Sequence, residues 1–409
     1  MIKNNRHSSF VAAWQQSCSW CVAVIGHTRV LSVVFFVTLL FTLACEREPE
    51  LHLHEGGKPI EIELPIINLD LDVYWNYEFD YGVAYDWRAE WYYGWDDIDQ
   101  QIFGNLGYTE PHVFHVRRYH TYRDPAAPHT KVIANTINGN TFQGRFDWGF
   151  WDLLTWNDVV TIDGVQSLNF DETTTLEYVT AYTNQTMIPS RYQAPHYTRS
   201  FYEPEGLFSA YEEDIEVNEN LDGFEYDPVN NVWVKHLNLL LQPITYIYLP
   251  QIILHNNRNK IVGVDGSGNL SGMARTVNVN TGVAGSDAVT VHYNVRFKPN
   301  CDMKGESVDI IGGRVMTFGM CNLNTRTTRQ EEETDDLTHY MDVTMLFNNG
   351  IDSTFVFNVT DQVRKLYKGG VLTIELDMDT IAVPARAGGS AFDAVVKDYE
   401  DGGTHEFEM

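Results

Sequence analysis

The chain has 409 residues, 44% of them apolar and 13% aromatic, enough for sizeable cores and too much for a disordered protein. Its 28 Lys and Arg against 56 Asp and Glu give a net charge of −28, which repels phosphate backbones and excludes nucleic acid as a partner. An anionic membrane surface repels it too, so any membrane contact has to come from a lipid or an apolar segment.

The first element in chain order is a secretory signal. Residues Val30–Ala44 (VLSVVFFVTLLFTLA) carry no charge, and Lys3, Arg6 and Arg29 precede them with no acid upstream. The run is shorter than the ~20 residues of a membrane span. It stops at Cys45 behind Leu43 and Ala44. Thr42-Leu-Ala-Cys45 resembles a bacterial lipobox with Thr42 in place of the usual aliphatic residue, which predicts lipidation of the Cys45 thiol and removal of residues 1–44. The remaining 365 residues hold 25 Lys and Arg against 56 Asp and Glu, a net −31. Residues 45–58, opening Cys-Glu-Arg-Glu-Pro-Glu, read as an acidic flexible tether.

Beyond the tether the dominant period is two. In Ala288–Phe297, Val289, Val291, Tyr293, Val295 and Phe297 share one face, and Thr290, His292, Asn294 and Arg296 the other. Similar strands are predicted at Glu61–Pro65, Val113–Tyr119, Val232–Leu239, Ile244–Leu254, Arg314–Met320, Tyr340–Phe347, Thr354–Val359, Val371–Asp377 and Ala391–Lys397. Asn-Gly at 138–139 and 349–350 and Asp-Gly at 163–164, 222–223 and 265–266 separate them as turns. One helix is predicted at Asp361–Lys368, capped by Thr360 and stopped by Gly369-Gly370. The expected class is all-β, with two sandwiches at 59–225 and 226–409 joined at the turn-rich Asn218–Asn231.

Catalytic and metal motifs are not evident. Gly388-Gly-Ser390 lacks the closing glycine of a nucleophile elbow. Gly266-Ser-Gly-Asn-Leu-Ser-Gly272 has Ser271 where a dinucleotide fingerprint needs glycine, and reads as a turn between strands. Asn218–Val229 begins like a calcium loop but lacks the closing Glu. His112 and His115 fall on opposite faces of a strand, so a shared metal is not expected. No cofactor or metal is expected. Cys301 and Cys321 either form a disulfide or are two buried thiols in neighbouring strands.

The unusual constellation is aromatic: eleven rings between Tyr74 and Trp95, with acids interleaved. They are core, a subunit contact or a glycan platform. Trp87, Trp91 and Trp95, four apart, are expected to behave alike and are the candidate binding face.

Several segments together resemble a known family. They are Cys45-Glu-Arg-Glu48, Gly268–Ala274 followed by VNVNTG, Phe357-Asn-Val-Thr-Asp-Gln-Val363, Ile381–Pro384 and Phe392–Tyr399. Residues 146–158 (FDWGFWDLLTWND) and 176–184 (LEYVTAYTN) add to them. The set is similar to the fimbrillin-like outer-membrane lipoproteins of Bacteroidetes, an uncharacterised group associated with type V fimbrial subunits and anchors. The resemblance implies two tandem transthyretin-like, Greek-key β-sandwiches. It also implies a non-enzymatic, lipid-anchored place at the cell surface and partner fimbrial subunits joined by β-strand addition. The alternative is a glycan-binding surface lipoprotein for polysaccharide capture. Tyr399, where the family pattern has tryptophan, and the aromatic block depart from the pattern.

Overall fold

In the computed structural model the described residues are 65–384, apart from 76–85, 123, 127, 160–166, 173–177, 187–199 and 324–336, together with 394–395. The signal, Cys45, the tether and the expected strand Glu61–Pro65 lie outside them, save its last residue.

The alternation in the sequence becomes sheets. β1 (Ile67–Trp75) places Ile67, Leu69, Leu71 and Val73 on one side, all buried, and Asn68, Asp70 and Asp72 on the other. It belongs to an 8-stranded sheet with β2 (Val113–Thr121), β3 (Lys131–Asn138), β4 (Thr141–Phe146), β5 (Gly149–Asn157), β9 (Phe208–Val217), β10 (Glu225–Asp227) and β11 (Val232–Pro243). The strand order is β3-β2-β5-β9-β11-β1-β4, and β9 meets β11 only at its end, through Phe208 and Ser209. The two halves of this path share one buried cluster, with Leu69 and Leu71 joined by Val116, Trp151 and Leu153. That is a sandwich.

A second, 10-stranded sheet carries the larger core. It contains β8 (Ser200–Tyr202), β12 (Tyr246–His255), β13 (Ile261–Ala274), β15 (Ala288–Met303), β16 (Glu306–Gly313), β17 (Val315–Thr317), β18 (Tyr340–Phe347), β19 (Asp352–Asn358), β20 (Gly370–Asp377) and β21 (Ala394–Val395). β15 is long enough to pair with β13 through its first half and with β16 through its second. A third, 3-stranded sheet joins β6 (Leu168–Asp171), β7 (Thr180–Thr183) and β14 (Thr276–Asn278). The fold class is therefore all-β, as the sequence reading expects. The described helices are short: α1 (Trp87–Glu90), α2 (Asp97–Phe103) and α3 (Thr360–Lys365).

Several local readings change. The turn-rich stretch 218–231 connects strands of one sheet, β9 before it, β10 inside it and β11 after it, and β11 pairs with β1 in parallel, Ile67 opposite Trp233. Conversely, β7 and β8 pair with strands from beyond residue 270, and β6 joins that sheet through β7. In the calcium-like stretch, the Asn218 and Asn220 side chains accept from the backbone of Asn220 and Asp222. Gly266–Gly272 lies inside β13, a strand with three register shifts, and is not a turn between strands. Thr360 is the first residue of α3, not its cap. Its backbone N–H donates to Asn358 Oδ1, while its hydroxyl accepts from His339 N.

One buried polar row crosses the second sheet. Ser200 Oγ donates to Asn269 Oδ1 at 3.2 Å, and Asn269 Nδ2 donates to Asp342 Oδ1 at 2.9 Å. Burial raises the Asp342 pKa from 3.8 to about 7, against the Asn269 hydrogen bond. The folded chain thus holds a proton there that the unfolded chain has lost above about pH 4. This contribution to stability is present at low pH and lost as pH rises through 7. Burial of His339 lowers its pKa to about 4, so its contribution runs oppositely, lost as pH falls from 6.5 through 4. Asp342→Asn is expected to match the parent near pH 4 and to exceed it at pH 8 by ~2–4 kcal/mol, measured by urea melts.

Candidate functional site

Between β1 and β2 the chain crosses the outer face of the second sheet as a strap, residues 86–108. β12 is buried on both faces, so its apolar run has no solvent side. Tyr246, Tyr248, Ile252 and Leu254 face the main core. Ile247, Leu249 and Ile253 face the strap, where they cluster with Trp87, Trp91, Tyr93, Val308 and Ile310. Trp87 and Trp91 are 7% and 8% exposed, and Trp95 is half-buried beside Phe103. The candidate binding face Trp87, Trp91 and Trp95 is thus corrected: two of its three rings are packed inside. Of the eleven rings, Tyr77, Phe79, Tyr81 and Tyr85 lie outside the described residues and Tyr74 is half-exposed; those of residues 87–95 pack because the strap covers a second apolar surface.

Polar anchors hold the strap. Gln251 Oε1 accepts from the Tyr92 and Tyr93 N–H groups, and its Nε2 donates to Glu90 O and Thr373 Oγ1. At α2, Asp96 and Asp99 form a capping box. Asp99 is fully buried and accepts from Tyr93 OH at 2.7 Å, Arg296 Nη1 at 2.6 Å and Lys298 Nζ at 2.7 Å. Desolvation acts to raise the Asp96 pKa, but the Asp99 N–H, Lys298 and Arg296 outweigh it and hold the carboxyl well below its usual range. The Tyr93 ring lies flat against Gly312, where a Cβ would come within 2.4 Å of it, with Lys298 Nζ 4.1 Å above the ring centre.

Beside α2 lies an open groove of about 490 Å³, lined by Ile102, Val262, Val264, Val295, Arg296 and Phe297. It marks the place where β13 and β15 part. β13 pairs with β15 only from Ser267 onward, and its start, 261–264, pairs with β18 alone. β15 residues 295–298 pair with β16 alone. Two strand edges therefore face the groove without a strand partner among the described residues. Ile98, Ile102 and Val262 are 50%, 45% and 46% exposed, an apolar rim of the kind that marks interfaces.

Cys301 and Cys321 are both buried and not disulfide-bonded. Cys301 belongs to the cluster beneath the strap and Cys321 to the main core, so the sheet separates them. His115 lies beside Asp158 and His120 beside the Trp148 carbonyl, and among the described residues no group of three or more His, Cys, Asp or Glu can hold a metal. The sequence reading missed Asp99, Arg296, Lys298 and Gln251, and held Tyr93 only as one ring of the aromatic block. Gly312-Gly313 inside a strand was the available signal, since such glycines mark a close approach.

No family model and no curated protein matches the chain. Solved structures do. A candidate adhesin from Bacteroides ovatus ATCC 8483 is similar over 76% of this chain and 93% of its own, at 11% identity and a TM-score of 0.43. A candidate polysaccharide-binding protein from Bacteroides thetaiotaomicron matches 76% of this chain and 91% of its own, at 8% identity and 0.36. The fimbrial anchor protein Mfa2 from Porphyromonas gingivalis matches 76% and 90%, at 11% identity and 0.36.

Trp87→Ala and Trp91→Ala are each expected to cost about 3–5 kcal/mol, and Trp95→Ala less than half of that. Asp99→Ala, which leaves two cations facing one another, is expected to cost about 3–5 kcal/mol. Denaturant melts of the four variants check both.

Proposed function

We propose that the chain is a non-enzymatic, lipid-anchored component of a fimbria-like adhesion assembly, held in the outer membrane through Cys45 and exposed at the cell surface. The observation that carries this reading is the groove between β13 and β15. Two facing strand edges with an apolar rim suit β-strand addition, in which backbone hydrogen bonds supply affinity and side-chain pockets supply register. The sequence resemblance and the lipobox-like Thr42–Cys45 support the same reading. Glycan capture is weaker, because Trp87 and Trp91, the rings that would form its platform, pack inward.

Two experiments test it. Cells grown on labelled fatty acid should label the parent chain, and Cys45→Ala should be unlabelled and unprocessed; an unlabelled parent would remove the anchor. Ile102→Asp with Val262→Asp places charges at exposed positions of the groove. The double variant should keep its melting temperature and lose the fimbrial subunits that co-purify with the parent after mild cross-linking. Unchanged co-purification would remove the groove from the assembly.

A further inference from the structure

β3 ends the strand order of the first sheet and pairs with β2 alone. Its free edge is set by the ladder. Gly139 N donates to His112 O at 2.8 Å, which makes 112 and 139 a hydrogen-bonded pair. Antiparallel pairs alternate, so Ile137, Asn135 and Ile133 turn their backbone groups toward β2. Val132, Ala134, Thr136 and Asn138 turn theirs outward. Ala134, Thr136 and Asn138 are exposed, and no strand covers this edge among the described residues.

Natural edge strands carry devices against pairing: prolines, bulges, short length or charges. β3 has few of them. It spans 8 residues, KVIANTIN, without Pro or Gly, and its register with β2 is unbroken. Its single charge, Lys131, stands at one end beside Asp147.

We infer that this edge pairs with the same edge of a second copy of the chain, antiparallel about a two-fold axis at Asn135. In that register Val132 meets Asn138 of the second copy, and Ala134 meets Thr136. Both are hydrogen-bonded pairs, because all four residues direct their N–H and C=O groups outward. The side chains nearest the axis are small. Lys131 falls opposite Gly139 of the second copy, so the like charges lie at opposite ends of the ribbon and do not repel. The same patch serves both copies, as a closed two-fold contact requires. The contact is narrow and both chains are acidic, with a net −28 each, so the dimer is weak and strengthens with salt.

Sedimentation equilibrium of the full chain over about 1–200 µM, at low and high salt, reads the association. The parent should dimerise reversibly, more tightly at high salt. Ala134→Pro removes only an outward N–H and leaves the ladder to β2 intact. It should keep the melting temperature and weaken dimerisation at least tenfold. Ala134→Lys, which keeps the backbone N–H, should also weaken it if Ala134→Pro disturbs the fold. Ala134→Cys mixed with Thr136→Cys should form an intermolecular disulfide under mild oxidation, and Val132→Cys alone should not. A parent that stays monomeric throughout, or a dimer that survives both Ala134 variants, overturns the inference. So does capture of a different protein's strand by this edge in place of the second copy.

Discussion

The buried carboxylate of Asp99 is the constraint on which the strap and the groove depend. A charge taken wholly out of water is tolerable only when its hydrogen-bond capacity is filled. Here Arg296, Lys298 and Tyr93 fill it, together with the Asp96 backbone N–H at 2.9 Å. The partners come from two places: Tyr93 and Asp96 from the strap, Arg296 and Lys298 from alternate positions of β15. The cluster therefore fixes α2 on β15. With α2 fixed, Tyr93 seats on Gly312, Trp87 and Trp91 cover the outer face of β12, and Ile102 becomes a wall of the groove. One ion cluster thus couples the covering of an apolar face to the shape of an open one.

The strand periodicity was legible because it is a local property. β2, β18 and β20 fall within two residues of the segments read from alternation alone. β15 is legible as far as Phe297 but runs on to Met303, past Pro299, through a register shift that no period-two template detects. The aromatic block could not be placed from sequence, since alternation shows that a ring has an apolar neighbour without showing which surface supplies it. That surface is the strap-facing side of β12, more than 150 residues away along the chain from Tyr93, as the Gln251 contacts with Tyr92 and Tyr93 record.

The junction expected at Asn218–Asn231 illustrates a related limit. An acidic, turn-rich stretch signals a break in hydrogen bonding, and there is one, between β9 and β10. Past that break a hairpin returns the chain to the same sheet, with Trp233 opposite Ile67. Parallel pairing of β1 with β11 brings together residues far apart in sequence, and composition carries no trace of it. The cysteines were likewise ambiguous until the two clusters placed them on opposite sides of one sheet.

The parting of β13 and β15 is proposed as the docking site for a strand of a partner protein at the cell surface. A photo-cross-linking residue at Val262, which is 46% exposed on the rim of the groove, tests this on intact cells. One dominant adduct is expected, with the cross-link mapping to an alternating, strand-forming segment of a fimbrial subunit. Adducts that contain only glycan, or no adduct from a protein that is folded and present at the surface, would contradict it.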